Sequence, residues 1–271
     1  MGAPGVPPMD RASATGGGGL DQLSAVHARL LEDPNTKRAV VSIFDPGSDY
    51  GDTKDVPCNN WLQFLHRDGV LHLNVTVRAN DTIWGFSGIN VFEWSVLHEL
   101  MASSLGWQVG TLSWFVGTMH VYERHYDTVS RILHHRGMRS AYEFGIDSLP
   151  VTIGLSGLDA ELGRVFVVEE IARAGDAKGA AQASATVRDP FFHACAVMLR
   201  AYNAFLRSDD QDEVVRIVAE LPVSDFRVAA IEYFSRRWRT DRAFDGIVTG
   251  ERDFLTYYRA MRDATAALAL R

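Results

Sequence analysis

Apolar positions recur at helical spacing where the patterned part of the chain begins. Leu20, Leu23, Val26, Leu30 and Leu31 form one stripe, and Asp33-Pro34-Asn35-Thr36 then turns the chain. Residues 38–44 are a β-branched run of strand length, followed by a polar loop from Asp45 to Asp55. The stretches 60–66 and 70–78 flank Arg67-Asp68-Gly69 and predict an antiparallel hairpin. In its second arm Leu71, Leu73, Val75 and Val77 alternate with His72, Asn74, Thr76 and Arg78. One face is therefore buried, and Arg78 stands on the polar one. Residues 89–105 read as a long apolar helix stopped by Gly106. Residues 110–122 read as a strand, with His120 and Tyr122 on one face.

Beyond about residue 150 the period becomes helical, with candidate helices over 159–174, 190–207, 212–221, 223–239 and 251–270. The Ala/Gly-rich stretch 175–187 reads as a linker, and residues 1–19, ending in four glycines, as a disordered tail. The expected organisation is a tail (1–19), a core (20–150) and a helical extension (151–271).

Composition narrows the function classes. The chain has 271 residues, 46% of them apolar, and a net charge of −7, enough for a sizeable core and against a nucleic-acid coat. No apolar run is long enough for a membrane span, and residues 1–8 do not resemble a secretory signal. The two cysteines, Cys58 and Cys195, are expected as free thiols in a cytoplasmic protein. Cys195 lies in an apolar helical stretch and reads as core. His125, His134 and His135 have no metal-ligand spacing with a cysteine. The basic run Ser235–Arg242 reads as helix-end charge.

Cys58 is the candidate for chemistry. It follows Pro57 at a strand entrance, twenty residues before Arg78, and the thiolate is the reactive form that a nearby cation favours. Around it, six motifs in order over residues 21–127 resemble the thymidylate synthase family, which includes the nucleotide hydroxymethylases. They are Asp21-Gln22 with the 34–42 segment, Pro57-Cys58, Asp68-Gly69-x-Leu71, Arg78-Ala79-Asn80-Asp81, Gly85 with Asn90-Val91, and His120-x-Tyr122-x-x-His125.

The resemblance implies an α/β (α+β) fold: a thymidylate synthase-like sheet with packed helices, here with a helical C-terminal extension. It implies one-carbon transfer to C5 of a pyrimidine nucleoside monophosphate, methyl or hydroxymethyl, from 5,10-methylenetetrahydrofolate. By the same resemblance Cys58 attacks C6, Arg78 holds the phosphate, His120 and Tyr122 bind the sugar hydroxyl, and Asp81 serves the folate. Lys37 and Arg38 reach the phosphate of a neighbouring subunit, implying a homodimer. Asn90 falls where the family reads the base. An amide there goes with uracil, although it can flip, and one inserted residue near Ser87-Gly88 leaves Glu93 open as the reader. No nucleic-acid or membrane partner is implied.

The departures concern proton transfer and cofactor contact. The family's upstream glutamate and tryptophan have no counterpart, since no Glu precedes Glu32 and no Trp precedes Trp61. Asn59, Ala79, Val77 and Thr118 replace the usual His, Ser, Gln and Asp. Three explanations stand: a start upstream of Met1, a substitute carboxylate such as Glu169 or Glu170, or lost turnover. The last gives the alternative function, a non-catalytic nucleotide-binding or dimeric interaction protein on a degenerate fold.

Overall fold

The computed structural model describes residues 20–51, 56–134, 137–207, 210–238, 244 and 246–268. The expected tail over 1–19, and residues 239–242 of the basic run, lie outside them. Helix α1 (Gln22–Glu32) starts at Asp21, whose carboxylate accepts the Ser24 N–H at 3.0 Å. After it come β1 (Val40–Ser42), the single turn α2 (Pro46–Asp49), and the hairpin β2 (Asn59–Arg67) and β3 (Val70–Val77). Asp68 and Gly69 both take positive φ, 50° and 81°, as a tight two-residue hairpin turn requires.

Next are β4 (Asn80–Asp81), a wide π-helical turn over Thr82–Asn90, α3 (Val91–Leu105), β5 (Gln108–Val116), β6 (Met119–His120) and α4 (Tyr126–His134). Gly106 takes φ 71° at the end of α3. The main sheet has the order β1-β2-β3-β5. Its hairpin pairs are antiparallel and β3–β5 is parallel, with α3 as the crossover.

The alternating face expected of residues 70–78 is the core face. Leu62, Phe64, Leu71, Leu73, Val75 and Val77 pack with Met101, Ala102 and Leu105 of α3 and with Val26 and Leu30 of α1. Each such side chain contributes about 1.5–3 kcal/mol when fully buried. Within this apolar layer His98, 2% exposed, donates Nε2–H to the Leu71 carbonyl at 2.7 Å. Burial lowers its pKa below 6.5, against the raising effect of that bond and with help from the nearby His72 charge.

The second half is helical: α5 (Leu155–Arg173), α6 (Ala177–Ser184), α7 (Pro190–Arg207), α8 (Gln211–Ala219), α9 (Asp225–Trp238) and α10 (Thr249–Leu268). It packs on the far side of α3. Leu100 shares a core with Val165, Val168, Phe191 and Phe192. Polar bonds fix the joint. Asp189, 1% exposed, accepts from Thr152 N (2.6 Å), Thr152 Oγ1 (2.8 Å) and Ile153 N (3.1 Å), and its other oxygen caps α7 at Phe191 and Phe192. Buried Glu161 accepts from the Arg188 and Asp189 N–H groups and pairs with Arg164, while Glu99 of α3 accepts from Val151 N at 3.1 Å.

The structure differs from the sequence expectation in three places. The stretch 175–187 is not a linker: it holds α6, begun by Asp176, which accepts the Gly179 N–H. Alanine is the best helix former and lets α6 approach α5 closely. The strand over 110–122 breaks at Gly117, whose N–H bonds to Val77 O, so Tyr122 lies off the strand. The helix over 89–105 is preceded by the π-helical turn. Cys195 is partly buried, and burial pushes its thiol up to about 11.

His98 gives the fold a signed pH dependence. Its folded pKa is lowered, so as pH falls below 6.5 the unfolded chain protonates first and stability is lost. Glu99, raised by burial and by the Asp189 charge against the Val151 bond, acts in the opposite direction. In denaturant titrations between pH 6.5 and about 5, His98→Gln is expected to flatten the decline seen in the parent. An unchanged slope would remove His98 as its source.

Candidate active site

The sheet topology brings most of the candidate residues to one end. β2 begins there, and β3 and the parallel β5 end there. Cys58, just before β2, is exposed. Its carbonyl accepts from the Arg78 N–H at 2.9 Å. The Arg78 guanidinium donates from Nε to Pro57 O (3.0 Å) and from Nη2 to Val56 O (2.7 Å). Arg78, itself exposed, therefore clamps the backbone that presents the thiol. The next residue, Asn59, accepts the Trp94 indole N–H at 3.2 Å, tying the cysteine strand to the first turn of α3.

Past the sheet end, β4 and β6 pair in parallel, with Asn80 opposite Met119 and Asp81 opposite His120. Their approach needs Gly117, where a Cβ would sit 2.7 Å from Arg78 O. His120 and Tyr122 meet edge to face at 5.0 Å although no strand carries both. Arg124 stacks over Tyr122 at 4.3 Å and donates to His125 Nε2 at 3.1 Å.

Asp81 starts the π-helical turn, one oxygen accepting from Trp84 N at 2.6 Å. Its other oxygen is buried and has no hydrogen-bond partner among the described residues. Burial alone would raise its pKa. The N–H groups of Trp84, Ile83 and Gly85, with the His125 charge, outweigh this and leave it lowered. The turn ends at Asn90, whose side chain caps nothing. Asn80, 3% exposed, lies against Gly85 on the same turn, and its Nδ2 has no partner among the described residues.

Lys37 and Arg38 are exposed and lie elsewhere. Lys37 O accepts from Gln63 Nε2 at 3.1 Å, and Gln63 is five residues, about 17 Å, along β2 from Cys58. The substitute carboxylate considered at Glu169 is held by Arg173, with one bond at 2.8 Å, and Glu170 is exposed. The sequence reading missed the Asn59–Trp94 bond, the packing of Asn80 on Gly85 and the clamp on the cysteine loop. The motifs had singled out Cys58, Arg78, Asn80 and Gly85, but not these contacts.

The thymidylate synthase family model matches residues 8–149, just over half of the chain. The chain belongs to the thymidylate synthase family. Among its relatives, a deoxyuridylate hydroxymethyltransferase of Bacillus phage SP01 is 43% identical over 105 residues, covering 38% of this chain and 27% of that protein. One from Pseudomonas phage M6 is 32% identical over 232 residues, covering 80% of this chain and 62% of that protein. A thymidylate synthase of Bacillus phage phi3T is 31% identical over 110 residues, 41% of this chain and 39% of that protein. The chain thus spans between 27% and 62% of these relatives' lengths. A match over 80% of the chain extends well beyond residues 8–149, so the phage M6 relative shares much of the helical half.

Gly85 tests the geometry of this family site. A Cβ there would lie 2.2 Å from Asn80 Oδ1, and Asn80 is buried with little room to yield. Gly85→Ala should destabilise by about 1–3 kcal/mol. In an Asn80→Ala background most of that cost should vanish, measured as coupling in a double-mutant cycle. Additive effects would show that the two residues do not meet.

Proposed function

We propose that this chain carries out one-carbon transfer to C5 of a uracil nucleoside monophosphate, with hydroxymethylation as the outcome. The observation that carries the reading is the exposed Cys58 thiol, presented by the Arg78 clamp at the end of the sheet from which the chain runs on to Asp81 and its strand partner His120. Three relatives bear the name deoxyuridylate hydroxymethyltransferase, which favours deoxyuridylate and the hydroxymethyl product. The amide at Asn90 supports uracil, because it can donate to O4 and accept from N3–H together.

In this mechanism Cys58 Sγ bonds to C6, and the C5=C6 electron pair moves to the O4 enolate. Arg78 binds the phosphate with the guanidinium donors not spent on Val56 and Pro57. His120 and Tyr122 hold the sugar hydroxyl. Once C5 carries the one-carbon unit and has lost its proton, departure of the carrier amine would leave an exocyclic methylene. Water adds to that carbon as the hydroxyl, C5=C6 is restored and the Cys58 thiolate leaves.

5,10-Methylenetetrahydrofolate would supply the one-carbon unit at the oxidation level of formaldehyde. Asp81 fits it: an ionised carboxylate with one buried, unpartnered oxygen is an acceptor ready for ring N–H donors. Lys37 and Arg38 lie too far from Cys58 to serve its phosphate, so in this reading they serve a second copy of the chain in a homodimer.

Tritium release from C5-labelled dUMP, with and without the folate, tests the chemistry. Release is expected from the parent and none from Cys58→Ala. Mass analysis should find a gain of CH2O on the nucleotide; a gain of CH2 would make the product methyl. Asn90→Asp should move exchange from dUMP toward dCMP by about a hundredfold or more in relative kcat/KM. An unaltered preference would place base reading elsewhere. Folded protein that releases no tritium from any pyrimidine monophosphate would overturn the enzyme reading.

A further inference from the structure

In the helical half, α5, α6, α7 and α8 enclose a cleft of about 380 Å³. Four cations line it, Lys178, Arg200, Arg207 and Arg216, against two carboxylates, Glu213 and Glu220. The chain as a whole carries a net charge of −7, so this is a local reversal of sign. Two of the cations are accounted for. Arg200, 6% exposed, is gripped by the Glu220 fork at 2.5 and 2.9 Å, and Arg207 reaches Glu213 at 3.4 Å.

Lys178 and Arg216 have no hydrogen bond or ion pair among the described residues. They stand on different helices, α6 and α8, on the rim of the same cleft. Asp176, close to Lys178 in sequence, is turned to its own helix, accepting the Gly179 N–H. The buried lining residues Ala172, Ala180 and Ile217 give the cleft an apolar floor.

We propose that this cleft binds a phosphorylated small molecule of about nucleotide size, its phosphoryl oxygens between Lys178 and Arg216 and its less polar part on the alanine floor. The surplus is two positive charges, which a ligand with two or more negative charges balances. A concave, partly apolar wall focuses that field far better than a flat surface would. Phosphoryl groups match spaced ammonium and guanidinium donors. The cleft is larger than a lone phosphate needs and suits a small ligand. The Arg200–Glu220 pair, bonded twice with its arginine buried, links α7 to the end of α8 before any ligand arrives.

The test is calorimetric titration of the full chain with pyrophosphate, which carries no base and so reports on phosphate binding alone. A saturable site that depends on these two cations is expected. Lys178→Ala with Arg216→Ala should weaken it roughly tenfold or more, and both residues are exposed, so the fold is expected to survive. Folded Arg78→Ala, altered at the other candidate phosphate site, should keep the site that the double variant weakens. A nucleoside triphosphate should bind more tightly than pyrophosphate, by contact with the floor.

No saturable binding of either phosphate compound would overturn the proposal. So would parent-like binding in the double variant, loss of binding in Arg78→Ala, or citrate binding as tightly as pyrophosphate. These outcomes are independent of tritium release at Cys58, so failure here and failure of the one-carbon reading are separable.

Discussion

Three segments of chain meet at one end of a four-stranded sheet, and the contacts of Arg78 with its neighbours hold them there. Its N–H bonds to the carbonyl of Cys58, its guanidinium to those of Val56 and Pro57, and its own carbonyl lies where a Cβ on Gly117 would collide. One residue thus sets both the height of the cysteine loop above the sheet and the path of the chain leaving β5. Charge-assisted bonds to backbone carbonyls are stronger than neutral ones, and removing the guanidinium would leave two carbonyls without their partner. The positions of Asp81, Asn90 and His120 follow from this convergence, because β4, β6 and the π-helical turn all begin within a few residues of it.

The same economy governs the joint between the two halves. Asp189 uses one oxygen to cap α7 and the other to hold residues 152 and 153, while Glu161 fixes the backbone just before it. Buried carboxylates are costly unless every lone pair is used, and these are met mainly by backbone N–H groups. Apolar contact between Leu100 and the Phe191–Phe192 pair supplies area, but the hydrogen bonds supply register. The start of α7 touches Phe92, two residues from Asn90, so the helical half supports the turn that carries the candidate base reader.

What was legible in the sequence was what a short period or a special residue announces. The alternation in residues 70–78 gave the core face, Asp68-Gly69 the hairpin turn, and Gly106 the end of α3. The helix over 190–207 was readable to the residue. Alanine and glycine misled over 175–187, because composition alone does not separate a flexible linker from a close-packed helix. Cys58 and Arg78 could be paired by motif, but the direction of the guanidinium could not. It depends on a loop carbonyl geometry that no periodicity encodes. The same holds for Asn80 and Gly85, whose contact exists only because β4 and the turn fold back on each other.

The proposed chemistry needs a proton to be moved at C5, and the charges around the site limit which carboxylate can serve. A general acid or base works best with a pKa near the working pH, and Asp81 is shifted the wrong way. It is suited to accept hydrogen bonds as a fixed anion. Glu99 is shifted upward, but it holds Val151 at the joint between the halves. Glu169 is engaged by Arg173. Glu93, exposed in the first turn of α3, is three residues from the candidate base reader Asn90 and has no hydrogen bond or ion pair from its side chain among the described residues. Methylation and hydroxymethylation would both ask such a group to help remove the C5 proton; they differ in whether a hydride or water then reaches the exocyclic carbon.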